Sequence, residues 1–265
     1  MAPTPTARPK EEGRLHTRVL KCTLELANSR IFWVESGAEG LMGAEDAFEA
    51  GWFGHRSLTR LRELLTHLRA RYAAFPAALR VLHRWPGMGG DTQKLICHWH
   101  LQLSDPLYRQ FSGTVLPDRL LQGQPTVSKQ QVVTWLGEAG AGRWAGSTRL
   151  QLASKLLTTA HSAGLIQGKR DPRPLVVPLV PDDALTYVLH LLREVDFEGT
   201  VLANPYLRSV GLEGSPLNAR LKRLPDLRYG RQGDLVDMGW KHPDLAAWAD
   251  HAGLGGAEQR ELAVA

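Results

Sequence analysis

Apolar residues return every three or four positions over several long stretches, and that spacing predicts helices. Leu58, Leu61, Leu64, Leu65, Leu68 and Tyr72 mark one over 58–73, opened by Ser57. Pro76 starts a second over 77–85, which Pro86 and the loop Gly87-Met88-Gly89-Gly90 end. Asp91 is placed to cap a third over 92–103, and Ser104-Asp105-Pro106 stops it. The apolar period of 18–34 is ambiguous between helix and strand, and 44–51 reads as a short helix.

After Gln122-Gly123-Gln124-Pro125 the pattern changes. Thr126 or Ser128 caps a helix running through Glu138, which Gly137, Gly140 and Gly142 break. Ser147-Thr148 opens a longer one that ends near Ala163, with Gly164 as its stop. Leu165-Ile166, 175–177 and Leu179-Val180 are short extended pieces, and Pro174, Pro178 and Pro181 point to an edge strand or wing rather than a central strand. Asp182-Asp183 caps a helix over 184–195 with Leu185, Val188, Leu189 and Leu192 on one stripe. Short helical stretches at 206–210 and 216–223 precede a hairpin over 227–240, punctuated by Gly230 and Gly233, and a last helix spans 243–251. The order helices-then-wing in 128–180 has a weak echo in 206–240.

These elements predict a mainly α protein of two packed helical subdomains, with a small β-hairpin or wing component in the C-terminal half. The expected parts are a disordered tail over 1–14, a helical domain over 15–122, a second helical domain with winged-helix-like elements over 123–252, and a flexible tail over 253–265. No apolar run reaches the roughly 18 residues of a membrane span. The N-terminus has no apolar signal core, and Cys22 and Cys97 are too few and too far apart for a disulfide framework. A cytoplasmic protein is the expectation.

Charge sharpens the picture. The formal net charge is +5, and the stretch from Arg119 to Arg170 holds seven basic residues against the single acid Glu138, a local +6. The remainder of the chain therefore sums to −1. On the helix after Ser147, Leu152, Ala153, Leu156, Leu157 and Ala160 gather on one side, and Gln151, Ser154, Lys155, Thr158 and Ser162 on the other. That second face carries no acid. Its Ser, Thr and Gln can hydrogen-bond in a groove while Lys neutralises phosphate. Arg143 and Arg149 flank the helix start and Lys169 and Arg170 lie in the wing, so a duplex-DNA contact is expected on Arg143, Arg149, Gln151, Ser154, Lys155, Thr158, Lys169 and Arg170. Arg149 projects toward the apolar side, which leaves a structural role open for it. The arginines of 56–71 are either a solvated face or a second phosphate patch, with Arg60 and Arg69 its candidates. Trp144 and Trp52, beside glycines and basic residues, are open to contact roles.

Enzymatic chemistry finds no foothold. In Cys97-His98-Trp99-His100 the two histidines point apart on a helix, and no second Cys/His cluster lies near in sequence, so no metal site is expected. The Gly87–Gly90 loop lacks the frame of a phosphate loop, no nucleophile signature is present, and no cofactor is expected. Asp234 and Asp237 on the hairpin fit a surface ion network better than a catalytic pair.

Four segments carry a resemblance that extends over about residues 18–250: SLTRLRELLTHLRARY, WAGSTRLQLASKLLTTAHSAGLI, DPRPLVVPLVPDDALTYVLHLLREV and RYGRQGDLVDMGWKHPDLAAWA. Through them the chain resembles the BrxA family, accessory proteins of the BREX phage-exclusion system of bacteria. The resemblance implies a mostly helical, NusB-like protein that binds DNA and works beside other BREX proteins, a methyltransferase and an ATPase, and the absence of catalytic motifs makes a non-catalytic role the expectation. The residues themselves leave two other classes open: an RNA-binding, antitermination-like factor and a module that only bridges protein partners.

Overall fold

The computed structural model describes residues 8–36, 42–54, 56–140, 142–233 and 235–254. Asp234, paired with Asp237 in the sequence reading, and 255–265 of the expected C-terminal tail lie outside them. The chain is mainly α. Its first half runs through α1 (Leu26–Glu35), α2 (Ala44–Glu49), α3 (Leu58–Leu68), α4 (Pro76–His83), α5 (Gly90–Ser104), α6 (Pro106–Gln110) and α7 (Leu116–Leu121). Then come β1 (Thr126–Val127), α8 (Lys129–Ala139), α9 (Gly146–Ser162), β2 (Arg173–Pro174), α10 (Asp182–Glu194), α11 (Pro205–Arg208) and α12 (Gly214–Leu221). The hairpin of β3 (Leu227–Gln232) and β4 (Leu235–Trp240) and the helix α13 (Leu245–His251) complete the order.

Side-chain caps set several helix starts. Ser57 accepts the Arg60 N–H at the start of α3, and Asp105 accepts the Tyr108 N–H at the start of α6. At α8 the box is reciprocal: Ser128 Oγ accepts from Gln131 N at 3.3 Å, and Gln131 Oε1 accepts from Ser128 N at 2.8 Å. Three expected caps are not used. Gly89, not Asp91, occupies the position before α5, Ala145 the one before α9, and Pro181 the one before α10, each without a side-chain bond. Asp183 instead accepts from Thr92 Oγ1 at 2.9 Å, tying α10 to α5.

Residues on both sides of the expected boundary near 122 pack into one core. The axis of the fold is α5, whose residues from Leu95 to Ser104 are all buried. From the C-terminal half, α10 packs on α5 and α13 on α4. Trp99 Nε1 donates to the Tyr206 carbonyl at 3.0 Å, and a Cβ placed on Gly113 would lie 2.5 Å from that of Pro205. Trp52 and Trp144 are also core, 6% and 9% exposed, rather than contact residues.

The expected N-terminal tail is likewise fixed from residue 9. Asp196 N donates to Pro9 O at 2.8 Å, Glu11 N to Asp196 O at 3.0 Å, and Glu12 N to Leu103 O at 2.8 Å. The Glu11 carboxylate accepts from Tyr206 Oη and from Glu198 N, and Arg109 lies 3.5 Å away.

His98 and His100 are wholly buried and hydrogen-bonded. His98 meets Tyr108 Oη at 2.9 Å and Ser209 Oγ at 2.8 Å, and His100 meets Tyr187 Oη at 2.7 Å and Arg71 O at 3.2 Å. Burial pushes both imidazoles down to about 3 from the ordinary 6.5. The unfolded chain therefore takes up their protons first. Their contribution to stability is complete above pH 6.5 and is lost as pH falls toward 3. Between pH 7 and 6 the pair is expected to cost roughly 1 kcal/mol, lowering Tm by about 2–4 °C. Asp105, whose carboxyl burial raises, acts in the opposite sense at lower pH. A scan showing Tm unchanged from pH 7 to 6 overturns this account.

Candidate nucleic-acid interface

The segment from α7 to β2 builds a compact helix-turn-helix with a wing. Arg119 Nε, on α7, donates to Thr126 O at 2.8 Å and seats β1. The helices α8 and α9 pack together, with a turn at 142–145 leading into α9. Trp144 plugs that turn: a Cβ on Gly140 would lie 2.6 Å from its ring. The inner face of α9, Leu152, Ala153, Leu156, Leu157 and Ala160, is buried. The turn at Arg18–Leu20 also packs on α9 and keys the unit into the N-terminal half.

Beyond α9 the chain makes a three-segment sheet. In the β1–β2 pair, Thr126 faces Pro174 and Val127 faces Arg173, antiparallel. On the other side of β2, Ile166 bridges Leu175, and Gln167 N donates to Pro174 O at 2.9 Å. Pro174 thus sits in the middle segment, against the edge position its ring suggests. The sheet is short enough to forgo its one missing N–H, and Pro174 serves through its carbonyl alone. Residues 168–172 form the wing tip. Gly168 has a φ of +73°, the left-handed conformation that only glycine takes freely.

Lys169 and Arg170 are exposed at that tip. Asp171, just beyond them, turns back: its Oδ2 accepts the Lys129 N–H at 2.7 Å and its Oδ1 the Arg173 Nε at 3.0 Å. Its charge is spent at the positive end of α8. Asp118, at the other border of the basic stretch, holds Arg208 at 2.6 Å. Gln151, Lys155 and Thr158 are exposed on α9, Ser154 is half-buried beside them, and Arg143 is exposed in the turn. Among the described residues Arg143, Lys155, Lys169 and Arg170 make no ion pair.

Three sequence expectations change in detail. Ser154 Oγ donates to Leu150 O at 2.9 Å and Thr158 Oγ1 to Ser154 O at 2.8 Å, so both hydroxyls offer lone pairs rather than protons outward. Arg149 lies across α8, its guanidinium 2.7 Å from where a Cβ on Gly137 would stand, with Nε buried, so it braces the two helices. The candidate second patch is occupied. Arg60 pairs with Glu63 at 2.6 Å, Arg69 donates to Met42 O at 2.5 Å, Arg62 pairs with Glu45, and Arg71 is buried on the carbonyls of Thr23 and Leu24. Asp237 lies 3.5 Å from Arg228, both exposed, as a surface pair.

The BrxA family model matches residues 43–190, more than half of the chain and the whole of the helix-turn-helix and wing. The chain belongs to the BrxA family. It is thereby a BREX-associated protein. No curated protein and no solved structure matches it. Among the described residues no helix is long and apolar enough to cross a membrane.

Proposed function

We propose that this chain is a non-catalytic, cytoplasmic accessory protein of phage defence that grips duplex DNA with α9 and the wing and works beside a methyltransferase and an ATPase. The observation that carries this reading is that Gln151, Lys155 and Thr158 on α9 and Lys169 and Arg170 on the tip that follows it are all exposed, the two cations making no ion pair among the described residues, while the bordering acids are turned away. A helix of this length enters the major groove while a wing tip meets the flanking backbone. The polar groups on α9 are few, so phosphate contact dominates and sequence preference is small.

Anisotropy titration of the whole chain on a 20-bp duplex at several salt concentrations tests it. Four phosphate contacts, from Arg143, Lys155, Lys169 and Arg170, give a log K against log salt slope near −3.6, at about 0.9 per contact. Failure to bind duplex DNA at low salt overturns the reading. Tighter binding to RNA of equal length replaces it with an RNA-binding factor. Retention of BREX partners after nuclease treatment, with no nucleic-acid binding, replaces it with a bridging module.

A further inference from the structure

Asp226 in the turn before β3, His242 in the loop after β4 and His251 at the last turn of α13 converge, although the hairpin and a helix separate them in sequence. One ligand atom from each lies within 4.8 Å of the others. The tightest pair, His242 Nε2 and Asp226 Oδ1, is 3.2 Å apart, and the rings of His242 and His251 are 4.6 Å apart between centroids. Two ligands on one tetrahedral zinc ion, each bonded at about 2.0–2.1 Å, stand roughly 3.4 Å apart. The three groups are therefore within a small side-chain rotation of a common centre.

The electrostatics ask for a cation there. The Asp226 side chain is only 18% exposed, and among the described residues no Lys or Arg pairs with it. Its two oxygens meet neutral-capable donors only: Trp248 Nε1 donates to Oδ2 at 3.2 Å, and His242 faces Oδ1. A shielded carboxylate without a fixed counter-charge is costly. Two guanidiniums in the neighbourhood are committed elsewhere: Arg193 donates to the carbonyls of His242 and Pro243 at 3.2 and 3.1 Å and lies over the Trp240 ring, and Arg84 pairs with Asp250 at 2.9 Å. The Trp248 bond orients the carboxylate so that Oδ1 faces the histidines, the arrangement in which outer partners fix a metal ligand. The base of the wall is aromatic, with Trp248 buried and stacked on His190.

We infer that Asp226, His242 and His251 form a site for a first-row divalent cation, zinc by its donor set, which clips the base of the β3–β4 hairpin to the end of α13. Two imidazoles and one carboxylate suit zinc and not magnesium, which takes oxygen ligands and keeps its waters. The fourth position opens on the exposed His251 side, where water completes the shell. The site is separate from the α9 and wing surface and stands whether or not that surface binds DNA. A three-ligand set split between a turn, a loop and a helix end has no spacing that a sequence reading could find.

Untagged, EDTA-treated full-length protein titrated calorimetrically with zinc alone is expected to take up one ion per chain and to gain thermal stability, with magnesium producing neither effect. His251→Ala removes an exposed ligand, so the metal-free protein keeps its Tm while zinc affinity falls by at least about 100-fold, beyond the 10–100-fold that outer partners carry. Asp226→Asn, which keeps an acceptor for Trp248, is expected to weaken zinc to a similar degree and covers the case in which His251→Ala misfolds. The inference is overturned if the wild-type chain binds no zinc. It is equally overturned if both variants bind zinc as the wild type does, which would assign the ion to other histidines and leave Asp226 and His242 as a plain ion pair.

Discussion

Trp99→Ala is expected to destabilise the whole protein in a single cooperative step. Trp99 is fully buried in α5, and its indole N–H is the partner of the Tyr206 carbonyl. Truncation removes the ring from a close-packed site and one of that carbonyl's two donors, the other being Ser209 Oγ at 2.6 Å. Cavity formation at a buried tryptophan costs about 3–5 kcal/mol, and the lost indole hydrogen bond adds to it. For a chain of this size Tm should fall by about 10 °C. Trp99 belongs to the first half and Tyr206 to the second, so calorimetry should show one transition that moves as a whole. Two transitions, with only one displaced, would mean that the halves fold apart and that the shared core described above is wrong.

The second large effect concerns charge. On the proposed reading, Lys155→Ala combined with Lys169→Ala and Arg170→Ala should flatten the salt dependence of duplex-DNA binding by up to about 2.7 units, three contacts at 0.9 each. At about 0.1 M salt that corresponds to a loss of two orders of magnitude or more in affinity. All three side chains are exposed and free of ion pairs among the described residues, so Tm should hold within about 0.5 kcal/mol of stability. Arg149 is left out of the set because it braces α8 against α9, and its loss would confuse binding with folding. An unchanged slope in the folded triple variant removes α9 and the wing from any role with phosphate.

The helix-turn-helix was legible in the sequence because its signals are local. Apolar period, the Thr126 or Ser128 cap and the glycines of 137–142 all act within a few residues of one another. The wing tip was legible for the same reason. What escaped was decided at long range. Pro106, Gly113 and Pro117 punctuate 106–121 and hide its helical character. Yet Pro106 and Pro117 fall in first turns, where no N–H is needed, and Gly113 is small because Pro205 lies against it. The arginines of α3 looked like a surface set. Glu63 could be seen three residues from Arg60, whereas Met42 O and Glu45 reach Arg69 and Arg62 only in the folded chain. The contacts that join the two halves escaped in the same way, since nothing near Trp99 in sequence announces Tyr206.

The seating of Glu11 bears on how the protein is made. Its carboxylate is held by Tyr206, 195 residues downstream, and the segment it belongs to is held by Asp196. On a ribosome adding roughly 5–20 residues per second, that partner follows some 10–40 seconds after Glu11 is joined to the chain. The segment around Glu11 must therefore wait, undocked, until residues 196–206 have emerged.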